Sequence, residues 1–445
     1  MQTFIDHSAI PEEAERMARI AAGWKAYYGK LEDPLRVRLN QSNDNVKANF
    51  LRPIVNKSCA FIWGSGIQFD IPENQVATDW LRLCWKANSQ NSLLNRVSIN
   101  GAVGGHVFLR VLPPVPPARP FPRVVLLDPA LVTVRWSEED FEDIQTYSIQ
   151  WKTTLEDGVT GAMRCTLISQ EHGRWRVQDM LKGTNGGFSV ISDVMWPYAW
   201  APIFAAQNLP SPNEYYGVPD LTEDVIEIQR AINFAFSNTN RILRSHAHPK
   251  TVATGVANNS LLKTAPDETI CLPNGATLMN LEMRSDLSAS LEFLKTLKRA
   301  LHTVSQCPEL TPEEVSGIGT LSGLALQILY QSLVEKTDLK RTSYGNLLER
   351  VNSALLEMGG LGAALDTQIK WPRMLPADPA AEAQTALMYE QLGVSDATIL
   401  AQLGFDADSE MEQNRAENAV AMENATRQFN AGREVPGSGY GDNGV

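Results

Sequence analysis

Apolar residues recur every three or four positions along several stretches of the chain, the spacing of helices with one buried face. Two of these stretches, LSASLEFLKTLKRALHTVSQC and LSGLALQILYQSLVEKTDLKRTSYGNLLERVNSALLEM, fall within Leu287–Met358. The break between them, PELTPEEVSGIGT, carries two prolines, two glycines and three glutamates and continues neither helix. Near the start, Pro11, Glu12 and Glu13 suit a first helical turn, followed by Met17, Ile20, Ala21, Trp24 and Tyr28 at helical spacing. A second amphipathic segment is predicted over about 44–64, with Val46, Phe50, Ile54, Val55 and Ile62 on one face. A third covers 76–95, with Trp80, Leu83, Cys84, Leu93 and Leu94. Asp220 reads as the cap of a further helix, with Glu223 and Asp224 in its first turn and Leu221, Val225, Ile228 and Ile232 recurring.

From about 97 to 200 the pattern changes. VSINGAVGGHVFLRVLP, RVVLLDPALVTVRW, IQTYSIQWKTT, AMRCTLISQ and RWRVQDML are short runs of β-branched and aromatic residues separated by Gly, Asp-Gly and Pro, as in an antiparallel sheet. PPVPPARPFP (113–122) reads as an extended connector. Residues 247–286 return to strand-like pieces, KTVATG, ETICL and ATLMNLEM, around a Pro273-Asn274-Gly275 turn. This strand module has its ends close together if the helices on either side run antiparallel. After Met358, Gly359-Gly360 stops the helix, IKWPRMLP suggests a short strand, and 379–430 is helical and acidic. The tail AGREVPGSGYGDNGV is expected to be disordered. The fold class is α+β.

At 445 residues the chain is long enough for two or three cores. No apolar run approaches the ~20 residues of a bilayer crossing. The N-terminus lacks the basic-then-apolar layout of a signal peptide, so a cytoplasmic chain with no membrane partner is expected. Five scattered cysteines without a CxxC pair predict buried free thiols rather than a disulfide framework or a zinc ribbon. With 39 basic and 51 acidic residues, a net charge of −12 argues against a protein that grips nucleic acid through clustered cations. It is compatible with one that lets DNA slide past a wall of like charge.

Catalytic patterns are missing. The nearest approach to a phosphate-binding loop runs from Gly23 to Lys30, one residue too long, with Leu31 where a hydroxyl belongs. Gly317, Gly319 and Gly323 depart from dinucleotide-loop spacing and read as loop flexibility. His246 and His248 read as a polar pair at a helix end. No GxSxG occurs, and acidic pairs such as Glu313-Glu314 read as solvated faces. The expectation is a protein that is not an enzyme, with no catalytic residues, metal or cofactor.

The order of parts resembles the tailed-phage portal proteins, most closely the SPP1-type siphophage portal family. Asn49-Phe50-Leu51-Arg52-Pro53-Ile54-Val55-Asn56 running to Gly64 is similar to that family's early helix. Trp85-Lys86-Ala87-Asn88, followed by Ile99-Asn100-Gly101-Ala102, resembles the next helix and its small-residue turn. Leu127-Asp128-Pro129 is similar to the Asp-Pro after a wing strand. Pro219-Asp220-Leu221 through Asn233 resembles the helix leading into the stem, and Ser322-Gly323-Leu324-Ala325-Leu326 the start of the long helix after the tunnel loop. Gln391-Leu392-Gly393-Val394-Ser395 with Leu400, Leu403 and Gly404 resembles a late segment. No single motif is specific, but together they span about 45–410.

The resemblance implies a ring, usually of twelve subunits, around a DNA channel at one capsid vertex. It implies a wing over 1–219, stem helices at 220–245 and 287–306, and a clip at 246–286. A tunnel loop at 307–321, a long helix and return to the wing at 322–376, a crown at 377–430 and a tail at 431–445 complete it. The implied partners are other copies of the chain, double-stranded DNA, the terminase large subunit, the head–tail connector or adaptor and the major capsid protein, with a scaffolding protein as a further candidate. Clip contacts fall at Lys250, Lys263 and Asn274. The implied location is the virion, with assembly in the host cytoplasm.

The residues suggest how such a channel would work. Glu309, Glu313 and Glu314 would repel phosphates if they face inward, and Ser316, Gly317, Gly319 and Thr320 would let the loop flex. Lys295, Lys298 and Arg299 could hold DNA weakly as a sparse basic ring or could simply solubilise an outer face, and both readings stay open here. Pro308 and Pro312 stiffen the first half of the loop. Other readings are a minor capsid or adaptor protein without a channel, and a nuclease or ligase, which would need a convergent carboxylate cluster.

Overall fold

The computed structural model describes residues 10–36, 43–154, 160–182, 187–247, 250–255, 274–281, 287–309, 323–362, 365–375, 379–403, 410–411 and 413–422. Helix α1 (Pro11–Tyr27) starts with Pro11 in its first turn followed by Glu12 and Glu13, as the spacing predicts. Helix α2 (Leu51–Trp63) is shorter than the periodicity suggested, because residues 43–50 run extended. Strand β1 (Gln68–Asp70) and helix α3 (Gln75–Ala87) follow, with the Asn74 side chain accepting from the Ala77 amide at 3.0 Å.

The expected single helix over 76–95 is two. Ser89, at φ 55°, breaks the chain between α3 and helix α4 (Gln90–Gly104). The segment VSINGAVGG, read as the start of the strand region, is the second half of α4. Its β-branched residues suit a strand in isolation, but its small residues admit a close neighbour. A Cβ on Gly101 would lie 2.0 Å from the hydroxyl of Tyr344. Gly101→Ala is therefore expected to destabilise the protein although alanine favours a helix by ~1 kcal/mol, because overpacking costs about 1–3 kcal/mol. Urea unfolding should show the loss shrinking in a Tyr344→Phe background; an equal loss in both would show that the hydroxyl is not the obstacle.

Strands β2 (His106–Leu112), β3 (Arg123–Leu127) and β9 (Ile203–Gln207) form one antiparallel sheet in the order β3-β2-β9. A second is a five-stranded meander of β4 (Val132–Trp136), β5 (Ile144–Thr154), β6 (Thr160–Glu171), β7 (Arg174–Lys182) and β8 (Phe188–Met195). Strands β8 and β9 were not anticipated. RVVLLDPALVTVRW is split between the two sheets by a single turn over Pro129–Leu131, where the Asp128 carboxylate accepts from the Ala130 amide.

Helix α5 (Glu223–Ala247) begins three residues beyond Asp220. Strands β10 (Lys250–Thr254) and β11 (Thr277–Leu281) pair antiparallel with Lys250 opposite Leu281, and helix α6 (Ser288–Val304) packs back along α5. Helix α7 (Gly323–Met358) has 36 residues, about 54 Å at 1.5 Å per residue. Strand β12 (Gln368–Lys370) then pairs with β1. Compact units comprise Met1–Met374 and Leu375–Val445; within the second lie helices α8 (Pro379–Gln391) and α9 (Asp396–Leu403). The tail at 431–445 lies outside the described residues.

The main core is built on α7. Tyr344, Leu347, Leu348, Val351 and Leu355 are buried against Ile62 and Trp63 of α2, Leu81 and Trp85 of α3, Leu93 and Val97 of α4, and Val107 and Leu109 of β2. A second core, with Phe108, Val134, Tyr147, Ile168 and Trp175, lies under the five-stranded sheet.

The extended 43–50 segment has a definite reason to avoid helix. Gln229, Asn233, Ser237 and Asn240 form a polar stripe along α5, and these side chains pair with the backbone of Asp44, Val46, Ala48 and Phe50 at 2.7–3.1 Å. The strap's amides and carbonyls are thus satisfied without strand or helix partners.

Candidate functional site

Helix α6 presents Lys295, Lys298 with Arg299, and His302 at helical spacing along one side. These residues line a groove of about 820 Å³ whose other wall includes Pro308, Glu309, Leu329 and Ser332. The three basic candidates are therefore gathered at one place, together with one of the glutamates. Lys295 and Arg299 are exposed. Lys298 is half-buried, its Nζ 4.9 Å from the Phe50 ring and 5.9 Å from Phe236, two rings that stack on each other. This cation–π seat holds a charge beside the groove while restricting its reach.

Glu309 brings a carboxylate oxygen 3.6 Å from His302 Nε2, and His302 Nδ1 sits 2.8 Å from the Cys307 carbonyl oxygen. The segment leaving α6 is anchored. Cys307 is buried, Lys57 donates to the Pro308 carbonyl at 2.8 Å with its Nζ 4.7 Å from the Tyr330 ring, and Lys336 donates to the Ser305 carbonyl at 3.1 Å. The stiffness assigned to the prolines has this second source: two ammonium groups hold the backbone at 305–308. Glu313, Glu314, Ser316, Gly317, Gly319 and Thr320 lie outside the described residues, as does Lys263. Lys250 begins β10 at the end next to α5, opposite Leu281, and exposed Asn274 precedes Gly275, whose φ of 87° marks the turn.

Behind the groove lies a buried ionic cluster. Asp220 Oδ2 accepts from Lys340 Nζ at 2.7 Å, and Asp220 Oδ1 is 3.4 Å from Lys336 Nζ. Asn208 donates to Asp220 at 3.1 Å and accepts from Tyr344 at 2.8 Å, while Lys340 donates to Ser58 at 3.1 Å. Asp220 is thus not the cap of α5. Its carboxylate turns into the core, and the Thr222 hydroxyl and Asp224 carboxylate organise the helix start instead. Burial alone would raise the Asp220 pKa, but Lys340 and Lys336 outweigh it and hold the carboxyl well below its ordinary range. Burial pushes the Lys336 pKa down, against the pull of Asp220.

Cys59, Cys84, Cys165 and Cys307 are free and buried; burial pushes the thiol of Cys59 up to about 11 and those of Cys84 and Cys165 up to about 12, so they are protonated at neutral pH. Cys271 lies outside the described residues. Among the described residues no cluster of His, Cys, Asp and Glu could hold a metal ion.

The cluster and the lysine anchors were not singled out in the sequence, although a signal was present. Lys336 and Lys340 lie on the same stripe of α7 as Leu333, Tyr344, Leu347 and Val351. Two lysines four residues apart within an apolar stripe call for a buried counter-charge.

No curated protein matches the sequence. Among solved structures, similar chains occur in the neck of an empty GTA particle computed with C6 symmetry (TM-score 0.44, 14% identity, covering 89% of this chain and 94% of that one). Others occur in the virion of a native gene transfer agent particle (0.42, 14%, 89% and 94%) and the neck of a native GTA particle computed with C12 symmetry (0.43, 14%, 79% and 90%). A family model described as phage portal protein, SPP1 Gp6-like, matches residues 206–424, the stretch that holds α5, α6, α7 and the groove between them. Over that region the chain is similar to phage portal proteins of the SPP1 Gp6-like family, the family that its order of parts resembles.

Proposed function

We propose that copies of this chain close into a ring, twelve by the family resemblance, around a channel that conducts double-stranded DNA during packaging and ejection. The observation that carries the reading is the family match over residues 206–424. The physical character of α6 supports it. Lys295, Lys298, Arg299 and His302 form a short basic ridge in a chain of net charge −12. A sparse ridge repeated around a ring gives DNA weak, equivalent phosphate contacts, while the acidic surroundings disfavour tight binding. Glu309 stands at the edge of that ridge. Glu313, Glu314, Ser316, Gly317, Gly319 and Thr320 follow it in sequence and form the tunnel loop in this reading.

The ring closes through heterologous contacts, each copy offering two different faces. The β10–β11 region, with Lys250, Lys263 and Asn274, docks the terminase large subunit during packaging and the head–tail connector afterwards. The major capsid protein surrounds the ring at one vertex of the virion, and the ring assembles in the host cytoplasm.

Negative-stain images of the purified protein test the assembly: rings with a hole wide enough for duplex DNA support it, and compact monomers overturn it. A triple Lys295→Ala, Lys298→Ala, Arg299→Ala variant tests the ridge. Rings should still form, but DNA retention should fall several-fold. Duplex binding should also lose salt dependence, by about 0.9 in the log–log slope for each phosphate contact removed. Unchanged retention and slope would place the ridge away from DNA.

A further inference from the structure

We propose that Lys336 is a positioning residue that locks the end of α6, and with it the groove residues His302 and Glu309, to the root of α5. The argument is one of charge balance. Lys336 and Lys340 are both buried, and the carboxylate beside them is Asp220. One unit of positive charge in the core therefore lacks a carboxylate. Lys340 makes the shorter contact with Asp220, 2.7 Å against 3.4 Å, and has Ser58 as a further partner.

Lys336 instead directs a hydrogen bond of 3.1 Å to the carbonyl of Ser305, the residue that ends α6. The last carbonyls of a helix carry partial negative charge, and a cation placed there is stabilised. The end of α6 thus acts as the missing counter-charge. It follows that α6 can leave this seat only by stranding a buried ammonium group, which is far less favourable than breaking one neutral hydrogen bond.

The same network fixes the other partner. The Asp220 amide donates to the Ala102 carbonyl at 2.7 Å, and Asn208 bridges Asp220 to Tyr344. The root of α5, the end of α6 and the middle of α7 therefore share one polar junction. On either side of Ser305, His302 in the last turn of α6 contacts the Cys307 carbonyl and Glu309, and Lys57 holds Pro308, so displacement at Ser305 is transmitted to the groove wall within four residues.

Lys336→Met separates positioning from general stability, because it leaves Asp220 and Lys340 as a balanced pair. In the full-length chain, with Cys271→Ser to remove a competing thiol, a nitroxide is attached at Gln306→Cys on the groove. Lys336→Met should at least double the mobile fraction of its spectrum while shifting the urea midpoint little. Leu355→Ala, which opens a cavity at the far end of α7, should shift the midpoint more and leave the spectrum unchanged. An unchanged spectrum in Lys336→Met, or equal loosening in Leu355→Ala, overturns the proposal.

Hydrogen exchange on the unsubstituted chain gives an independent test should Lys336→Met not fold. The last-turn amides of α6 should open together with the first turn of α5. Opening of α6 about tenfold more often than α5 overturns the lock. Only the consequence for DNA rests on the conduit reading. If the label loosens while rings retain DNA normally, the positioning stands and that role of the groove falls.

Discussion

Asp220→Asn is expected to lower the unfolding free energy by about 3–5 kcal/mol, the scale for removing one partner of a buried ion pair. The substitution keeps the size of the side chain and can keep an oxygen near Lys340, so little packing is lost. What remains is two buried ammonium groups with no carboxylate between them. Lys336→Met should cost much less, since it removes the excess charge rather than the balancing one. The ordering is more diagnostic than either value. If Asp220→Asn and Lys336→Met gave equal urea midpoints, the cluster would not be held by charge balance. The pH dependence has a definite sign. The folded pKa of Asp220 lies below its ordinary 3.8, so its contribution is complete above that value and lost as pH falls through the folded pKa. The gap between the original chain and Asp220→Asn should therefore close in acid.

The same residue shows where local reading of the sequence stops. An aspartate just before a periodic apolar run is a sound cap signal, yet the partner that captures Asp220 is Lys340, 120 positions away. The 43–50 strap was read as helix for a similar reason: its apolar spacing is local, while the α5 side chains that satisfy its backbone come more than 170 positions later. The second half of α4 looked extended because Val, Ile and Gly are weak helix formers, but a close approach to Tyr344 requires those small residues in helical geometry. Helices α1, α5, α6 and α7 were legible because each carries its own repeating apolar face. The α+β class followed from them and from the alternating strand runs.

The groove was legible in part. Lys295, Lys298 and Arg299 share one side of α6 simply through helical spacing, and Glu309 is brought to them by the short exit from that helix. The aromatic seat of Lys298 was not foreseeable, since Phe50 and Phe236 come from separate elements. Nor were the lysine anchors at Ser305 and Pro308. A charge count treats Lys57, Lys336 and Lys340 as three cations available to a polyanion, but folding commits all three to carbonyls, a hydroxyl and a carboxylate. Buried acids offset the buried bases, with Glu13, Asp44 and Asp220 against Arg16, Lys336 and Lys340, so the net charge survives folding while these particular lysines are withdrawn from the surface.

His106 gives the second large expected effect, an acid sensitivity of the core around β2 that one substitution should relieve. Its ring is buried among Phe108, Tyr215 and Tyr216, and neither ring nitrogen meets a hydrogen-bond partner. Burial, with Arg16 and Arg350 nearby, pushes its pKa from 6.5 down to about 3. Across that interval the unfolded chain binds a proton at this position and the folded chain does not. Stability must therefore fall as pH drops below 6.5, by ~1.4 kcal/mol per pH unit from this residue alone. His106→Phe keeps an aromatic ring in the site and removes the titration. Relative to the original chain it should gain about 2 kcal/mol in going from pH 6.5 to pH 5, with the difference continuing to grow towards pH 4. Both proteins carry the same carboxylates, so subtracting their urea-derived free energies isolates the one proton. A difference independent of pH would mean that the folded chain accommodates a charged imidazole between Arg16 and Arg350, which the aromatic enclosure and the two guanidinium groups oppose.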